Sequence, residues 1–444
     1  MKIKYIGPLF LLGLLGISAC QRKTIPIIPF QLQSAFPNVK IDGGGMSLDG
    51  GPCEPSIAIN YNNTDNIVAG AILNRVYRSD DGGKSWTIDK LQSSYGVFGD
   101  PVITPDIKGN FYYSHLSDPS GRGWASPQLL DRIVIQQSRD GGKSWEDGSF
   151  TGMRHPKDQD KQWLAVHPID NTLYISWTEF DKYNSATTTD KSRILFSKST
   201  DEGKTWMEPV AINQFDGDCL DDDQTPEGAV PAVGLDGSVY VAWAFDGKIY
   251  LDKSTDGGQT WLEEDVVVSD QPGGWTFDIP GIFRANGLPV TAIDNSQGPH
   301  QGTLYVNWSD QRNGAADTDI WLAKSTDGGN TWSPPIRVNN DGPGKQQFFT
   351  WMAIDQATGY LYFVFYDRRA YEDDQTDVYL AYSTDGGLSF INQKISESPF
   401  LPSKNAFFGD YNNISAHKGR IRPIWTRADG VNLSVWTALV EVKQ

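Results

Sequence analysis

The sequence predicts an all-β protein built from a repeated four-stranded sheet. One octapeptide, Ser-x-Asp-x-Gly-x-Ser/Thr-Trp/Phe, occurs six times in the 444 residues. Successive copies are 55 to 71 residues apart, which is the length of four short strands with their turns. Between the copies, short runs rich in β-branched and aromatic residues alternate with Gly-containing turns, a pattern typical of strands.

The octapeptide has the composition of a stapled hairpin turn. Its Asp accepts hydrogen bonds from nearby backbone amides, its Gly supplies a positive φ, and its aromatic residue packs between neighbouring sheets. Every repeat carries the motif, whereas an active site needs only one. We therefore interpret these residues as structural rather than as six calcium loops or six catalytic aspartates. The copies begin at Ser79, Ser138, Ser199, Ser254, Ser325 and Ser383.

The octapeptide resembles the Asp box of the bacterial neuraminidase repeat proteins, a sialidase-like family of β-propellers. The resemblance covers essentially all of the chain after the first twenty residues. It implies a single β-propeller, and it indicates fold more strongly than function because one fold carries many activities.

The number of blades follows from the strands around the octapeptides. Seven first strands are predicted against six octapeptides, and the seventh module, which ends with Asn432–Val440, runs out before a fourth strand. A strand around Phe36–Ile41 is the expected donor, because a borrowed strand removes an exposed sheet edge. Seven blades are therefore preferred to the six of typical sialidases. The first strands are expected to begin near Glu54, Asp100, Lys161, Glu227, Ile279, Phe349 and Asp410.

The first twenty residues have the pattern of an export signal. A charged start is followed by an apolar run over residues 5–17, and then by Ser18, Ala19 and Cys20. The segment resembles a bacterial lipobox, which implies a lipid on Cys20 and anchoring of an exported protein at the outer membrane or cell surface. The predicted organisation is a signal peptide over 1–20, a tether over 21–34 and a propeller over 35–444.

The charge of the chain restricts its possible ligands, and its cysteine content restricts its possible disulfides. A net charge of −17 argues against nucleic acid as a ligand, because both surfaces would be acidic. With Cys20 assigned to lipid, Cys53 and Cys219 remain, and in an oxidising compartment they either form a disulfide or stay free.

The loops at one end of a propeller channel are expected to carry the function. They enter the first strands and leave the second strands, whereas the octapeptides join third to fourth strands at the other end. The residues collected there are carboxylates, guanidiniums and aromatics, a combination that suits carbohydrate. They include Asp118, Glu179, Asp310, Arg312, Asp367, Arg368, Arg369 and Arg427, besides the residues that begin the first strands.

The family resemblance implies roles for some of these residues. Asp100, Glu227 and Asp410 are candidates for acid and base chemistry, and Tyr411 is a candidate nucleophile. Arg312, Arg368 and Arg427 are candidates for binding an anionic sugar, with Trp163 and Trp351 as aromatic contacts. The Arg-Ile-Pro motif of sialidases is absent, and the nearest string, from Asp278 to Arg284, has the wrong order.

Other interpretations stay open at this point. The Asp-x-Arg strings at 310–312 and 367–369 also fit an ion pair repeated between blades, and the single acidic residues also fit capping of backbone amides. An acidic run over 216–223 has oxygen ligands that suit Ca²⁺ but lacks the spacing of an EF-hand. No metal or other cofactor is expected. The function hypotheses are an exo-acting glycoside hydrolase, a non-catalytic propeller that binds glycan or protein, and a polysaccharide lyase.

Overall fold

Seven sheets surround a central channel. The computed structural model describes Met1, residues 30–46 and residues 50–443. The strands in chain order are β1 (Asn38–Met46), β2 (Ser56–Ile59), β3 (Ile67–Ala71), β4 (Arg75–Ser79), β5 (Thr87–Lys90), β6 (Val102–Pro105), β7 (Phe111–Leu116), β8 (Ile133–Ser138), β9 (Ser149–Thr151), β10 (Asp158–Val166), β11 (Leu173–Phe180), β12 (Ser192–Ser199), β13 (Val210–Ala211), β14 (Glu227–Val233), β15 (Val239–Phe245), β16 (Lys248–Ser254), β17 (Val266–Asp270), β18 (Thr276–Phe277), β19 (Ala285–Asn286), β20 (Val290–Ile293), β21 (Leu304–Asp310), β22 (Asp319–Ser325), β23 (Ile336–Arg337), β24 (Gln347–Asp355), β25 (Tyr360–Asp367), β26 (Asp377–Ser383), β27 (Ile391–Lys394), β28 (Asn413–His417), β29 (Arg420–Asp429), β30 (Asn432–Ala438) and β31 (Val440–Glu441).

The first strands of successive blades contact one another in a closed ring that runs β2, β6, β10, β14, β20, β24, β28 and back to β2. Blades one to four are β2–β5, β6–β9, β10–β13 and β14–β17, and blades five and six are β20–β23 and β24–β27. Blade seven is β28, β29 and β30 with β1 on its outer edge, and β31 also pairs with β29. The sequence prediction of a seven-bladed all-β propeller is confirmed.

Burial falls from the second strands to the outermost strands, as the residue patterns predict. Strand β11 is a continuous apolar and aromatic run that is buried along its whole length. Strand β5, with the sequence Thr-Ile-Asp-Lys, is exposed at every position. The inner strands therefore pack on both faces between neighbouring blades, as in sheets covered on both sides.

The N-terminal strand closes the last blade. Strand β1 pairs antiparallel with β30, from Asn38 opposite Ala438 to Met46 opposite Asn432. The predicted donor strand is therefore confirmed, and it covers an edge that would otherwise be open. Contact with the body begins earlier than the predicted boundary at residue 35, because Leu32 bridges Val442 within the predicted tether.

One predicted strand lies elsewhere. The first strand of blade five was expected near Ile279, but it is β20, which begins at Val290. Pro280 and Gly281 break the earlier segment, which forms instead part of an insertion between β17 and β20. We call residues 271–289 the mouth strap. It contains the short β18–β19 hairpin.

The octapeptides form the turns between third and fourth strands. In the second copy, the Asp140 carboxylate accepts hydrogen bonds from the Ser138 and Ser144 hydroxyls at 2.9 and 2.6 Å and from the backbone N–H groups of Lys143 and Ser144 at 3.0 and 2.9 Å. The other five copies repeat this arrangement. A side chain of the preceding blade also binds a glycine carbonyl of the turn, as Lys253 Nζ does to Gly328 O at 2.8 Å. The octapeptides thus fix both their own hairpin and the blade-to-blade contact.

The predicted lipid anchor falls outside the described residues. Residues 2–29, which include Cys20, the rest of the predicted signal peptide and most of the predicted tether, are not part of the described structure. Within the described ranges, no helix is long and apolar enough to cross a membrane. The one described helix is the three-residue 3-10 helix Gly123–Ala125.

Cys53 and Cys219 are separate buried thiols in the structure. Of the two alternatives that the sequence left open, the structure therefore has the free thiols and not the disulfide. Cys53 precedes blade one, whereas Cys219 lies in the loop between blades three and four, bridged to Ser185. Burial, with Glu54 next, raises the pKa of the Cys53 thiol well above its ordinary value.

Candidate active site at the channel mouth

A repeated kink in the backbone gathers charged side chains at one end of the channel. In six blades a residue near the start of the first strand, either inside the strand or in the loop before it, has a positive φ. The register of the first strand shifts at this point in blades three, four and six, which marks a β-bulge. Bulges re-aim the neighbouring side chains, here into the mouth. The positive-φ residues are Glu54, Asp100, Lys161, Gly228, Phe349 and Gly409.

We call the charged side chains gathered there the mouth cluster; they are Glu54, Asp100, Asp160, Lys161, Asp221, Glu227, Arg284 and Asp410. Asp410 lies at its centre and is bound by two cations. Its carboxylate receives the Lys161 ammonium at 2.5 Å and the Arg284 Nε at 2.8 Å, with a second contact from the Arg284 Nη2. Burial alone would raise the pKa of Asp410, but Arg284 and Lys161 outweigh it and hold the pKa well below its ordinary value. Asp410 is therefore a buried, permanently ionised carboxylate.

Lys161 is enclosed by acidic groups. Its ammonium lies 3.8 Å from the Asp100 carboxylate, in addition to its contact with Asp410. Burial acts to lower the pKa of Lys161, yet Asp100 and Asp410 raise it well above its ordinary value. An ammonium in this position stays charged and holds the acidic side chains of several blades together.

Arg284 reaches the cluster from the mouth strap. Besides Asp410 it binds the Asp221 carboxylate, with Nη1 to Oδ2 at 3.1 Å. The same Asp221 oxygen accepts a hydrogen bond from the Tyr183 hydroxyl at 2.7 Å. The strap is fastened by Arg368, whose Nη1 donates to the Pro280 carbonyl at 2.7 Å. Asp221 and Tyr183 thus form an outer layer of the mouth, with Asp410 and Lys161 beneath it.

Glu227 differs from the other carboxyls of the cluster. It is 1% exposed, and neither of its carboxyl oxygens has a hydrogen-bond partner among the described residues. Burial first, and then Asp221, raise its pKa well above the ordinary value. Glu54 and Asp160 also have strongly raised pKa values through burial, but each carboxylate accepts a backbone N–H. Glu227 is therefore a buried carboxyl without a hydrogen-bond partner among the described residues, and its burial favours the neutral form.

Aromatic rings close the channel beneath the charges. Trp163 packs against Trp351 with ring centroids 4.1 Å apart and an interplanar angle of 38°, and Tyr411 meets Trp163 edge-on at 5.2 Å. The Tyr411 hydroxyl has no hydrogen-bond partner among the described residues, and burial followed by Asp100 raises its pKa well above the ordinary value. A cavity of about 610 Å³ lies on the octapeptide side of these rings, and one of only about 20 Å³ lies on the mouth side. The predicted aromatic contacts therefore form the floor of the mouth.

The three predicted arginines do not meet in the cluster. Arg312 pairs with Asp310 and lies 4.4 Å over the Trp321 ring. Arg368 holds the mouth strap, and Arg427 pairs with Asp429 at 2.9 Å. Each guanidinium is engaged by its own loop or by a neighbouring loop. The arrangement of three arginines around one sugar carboxylate is therefore wrong for this structure.

The Asp-x-Arg strings serve the local turn. Arg369 Nη2 binds Asp367 at 2.7 Å, two residues away, and the guanidinium lies 4.3 Å over the Tyr379 ring of the same blade. The ion pair is thus within a blade rather than between blades. Other atoms of the two guanidiniums reach the preceding blade: Arg312 Nη2 donates to the Asp270 carbonyl at 3.1 Å, and Arg369 Nη1 donates to the Asn340 side chain at 2.7 Å. Asp118 caps its own loop by accepting the Gly123 N–H at 2.7 Å, and Glu179 is ion-paired with Lys157 and Arg193 at 3.0 Å each.

The acidic run before blade four supplies turns and one member of the cluster. Asp218 and Asp222 accept nearby backbone N–H groups, and Asp223 accepts the Thr276 N–H of the strap at 2.8 Å. Only Asp221 enters the mouth. Over residues 30–46 and 50–443, no group of three His, Cys, Asp or Glu side chains is arranged to hold a metal ion.

Sequence reasoning brought Asp100, Glu227, Asp410 and Tyr411 to the mouth but missed three partners. Lys161 was named as the start of a first strand but was given no role. Arg284 was named only as the last residue of the segment that was compared with the Arg-Ile-Pro motif. Asp221 was counted with the acidic run. A lone basic residue at a position where four of the other predicted first strands begin with an acidic residue was the available signal for Lys161.

Comparisons with known proteins agree with the fold. No protein-family model matches the chain. A sialidase of Bacteroides fragilis is 27% identical over 316 residues, covering 64% of this chain and 53% of the relative. The xyloglucanase Xgh74A of Acetivibrio thermocellus is 25% identical over 393 residues, covering 83% of this chain and 41% of the relative. The chain thus spans about half the length of the curated relatives it matches.

Solved structures show the same architecture at low identity. A PL25 ulvan lyase bound to a GlcA(1-4)Rha3S unit superposes with a TM-score of 0.55 at 13% identity, covering 90% of this chain and 95% of that one. The NanB sialidase of Streptococcus pneumoniae superposes with a TM-score of 0.51 at 11% identity, covering 84% and 83%. The chain therefore has the fold of the sialidase-like β-propellers.

Proposed function

We propose that this protein is a glycan-active, exo-acting glycoside hydrolase whose active site is the mouth cluster. The observation that carries the proposal is Glu227, a buried carboxyl with no hydrogen-bond partner among the described residues and a strongly raised pKa. Such a group is suited to donate a proton to a leaving oxygen at neutral pH. The sialidase and the xyloglucanase among the relatives are by name glycan-cleaving proteins, which supports the substrate class.

In this proposal two carboxyl groups carry the acid and the base or nucleophile roles. Glu227 is the general acid. Asp221, which is ion-paired with Arg284 and accepts the Tyr183 hydroxyl, is the second carboxylate and acts as base or nucleophile. Asp410 is fully engaged by Lys161 and Arg284, so it positions these cations rather than reacting. Tyr411 lies beneath the charges and keeps its proton.

A non-catalytic glycan-binding propeller is the second candidate. It is favoured by the closure of the mouth, since Glu227 is almost inaccessible and Arg284 of the strap lies bonded to Asp410. In the hydrolase proposal the strap moves aside when a glycan enters. Product formation separates the two candidates.

The decisive experiment is a turnover screen of the purified protein on sialosides, aryl glycosides, xyloglucan and uronic polysaccharides. We expect product from at least one glycan and a loss of at least about 100-fold in the Glu227→Gln variant. Asp252→Asn is the matched control, because Asp252 is a buried carboxyl of the same blade with a pKa raised to about 7, outside the mouth. Saturable binding without product from any glycan would contradict the hydrolase.

We also propose that the protein is exported and anchored through a lipid on Cys20, with the propeller outside the inner membrane. The support is the lipobox-like sequence before Cys20. Metabolic labelling with a fatty acid, followed by mass spectrometry of the N-terminal peptide, tests it. We expect acylation that is lost in Cys20→Ser, and an unmodified Cys20 would contradict it.

A further inference from the structure

An exposed aromatic stack stands beside the mouth cluster. Trp124 is 70% exposed, unusual for the largest apolar side chain. One face of its ring stacks on Tyr183, with centroids 5.6 Å apart and an interplanar angle of 25°, and Phe98 meets it edge-on at 6.1 Å. The opposite face is left open to solvent.

The loop that carries Trp124 is built to hold it in place. Trp124 is the middle residue of the 3-10 helix Gly123–Ala125. The Asp118 carboxylate accepts the Gly123 N–H at 2.7 Å and the Ser120 hydroxyl at 2.9 Å, which ties the start of the turn to the end of strand β7. Tyr183 is braced by Phe180 edge-on at 5.2 Å. These contacts hold the turn that carries Trp124 and the Tyr183 ring on which Trp124 lies.

The stack is connected directly to the reacting groups. Tyr183 supports the Trp124 ring and donates its hydroxyl to Asp221, which is bonded in turn to Arg284. A sugar ring lying on Trp124 would thus be separated from Asp221 only by the Trp124 and Tyr183 side chains, which places it beside the cluster. Aromatic faces pack on the apolar faces of sugar rings through the same contacts that stack them on one another.

The charge of the cluster indicates which sugars enter. Six carboxyl groups face two cations, Lys161 and Arg284, and both cations already contact Asp410. Even if Glu54, Asp160 and Glu227 hold protons, the remaining Asp100, Asp221 and Asp410 outnumber the cations. An added sugar carboxylate would be repelled and would find no free guanidinium in the cluster.

We propose that Trp124, backed by Tyr183, is a stacking subsite for an uncharged sugar ring of the glycan that enters the mouth. The inference rests on the proposed glycan-active function and adds to it a substrate class, neutral oligosaccharides. It separates this chain from propellers that recognise an anionic sugar through an arginine cluster.

The test is a binding measurement on the full folded protein carrying Glu227→Gln, so that turnover does not interfere. The probes are a panel of neutral oligosaccharides, including xyloglucan fragments and gluco- and manno-oligosaccharides, and an acidic panel of sialyl and uronic oligosaccharides. We expect neutral members to bind, with affinity reduced roughly 10-fold by Trp124→Ala and largely kept by Trp124→Phe. Leu388→Ala, an exposed apolar residue in the sixth octapeptide, is the control and should leave binding unchanged.

Binding of acidic members only, binding indifferent to Trp124, or binding by no member of either panel would overturn the subsite. Turnover assays keep this result distinct from the proposed activity. Trp124-dependent binding without product leaves the subsite standing and removes the hydrolase. Product formation that Trp124→Ala leaves unchanged supports the hydrolase and removes the subsite.

Discussion

The two ends of the channel use the same acidic residue types in opposite ways. At the octapeptide end, the Asp140 carboxylate is exposed and receives four hydrogen bonds. Burial acts to raise its pKa, but the bonds from Ser144 and its neighbours lower it to about 2. At the mouth, Glu227 is buried, has no hydrogen-bond partner among the described residues, and has a strongly raised pKa.

This difference shows which acidic residues stabilise the fold and which are available for chemistry. A carboxylate whose acceptor sites are filled contributes stability and has little left to offer a substrate. An unpartnered buried carboxyl costs stability, so it persists where a function requires it. The six repeated aspartates belong to the first kind, and Glu227 belongs to the second.

The largest expected effect on stability comes from removing the central cation of the mouth. Lys161→Met leaves Asp100 and Asp410 without their ammonium, and we expect it to lower the free energy of unfolding by about 3–5 kcal/mol at pH 7. Denaturant unfolding measures it. Lys253→Met, which loses the bonds to the Gly328 carbonyl and to the exposed Asn330 side chain, should cost about 1 kcal/mol. Equal losses in the two variants would contradict the role of Lys161.

A smaller effect with a characteristic pH dependence is expected at Asp252. The pKa of Asp252 is raised to about 7 in the folded protein. Its contribution to the free energy of unfolding is therefore fully present below pH 4 and is lost as the pH rises through 7. The stability of Asp252→Asn relative to the parent protein should therefore increase between pH 4 and pH 8, by about 2 kcal/mol after solvent screening. Thermal unfolding across this range checks it, and a difference that does not change with pH would exclude the burial argument.

The smallest effect is expected at a single octapeptide. Asp140→Ala removes four hydrogen bonds at an exposed turn and should cost about 1 kcal/mol at pH 7 without changing glycan binding. Since the folded pKa of Asp140 is about 2, its contribution is present above pH 4 and is lost as the pH falls through 2. Denaturant unfolding at pH 7 and at pH 3 measures the cost, which should be smaller at pH 3. Loss of binding in this variant would mean that the octapeptides do more than hold the blades.

The sequence predicted the architecture because the architecture is repeated. Strand β14 begins at Glu227, where the first strand of blade four was expected, and the closing strand β1 was expected from the missing fourth strand of blade seven. The strand at Ile279 was misplaced because the strap interrupts the repeat, and a Pro-Gly pair there was passed over.

The site was only partly predictable, because its members come from blades far apart in the sequence. A spacing pattern cannot show that Arg284 reaches Asp410 across the mouth or that Asp221 turns away from its acidic neighbours. It also cannot distinguish an arginine that faces a substrate from Arg312, which is paired two residues away. Those distinctions depend on burial and on the partners that the fold supplies.

The measurement that tests the central claim most directly is the titration of Glu227 itself. Carboxyl ¹³C NMR of protein labelled at glutamate, compared with the Glu227→Gln variant, identifies its signal. We expect the Glu227 carboxyl to titrate well above the ordinary value for glutamate, whatever the substrate proves to be. A Glu227 signal that titrates at the ordinary value for glutamate would contradict the account.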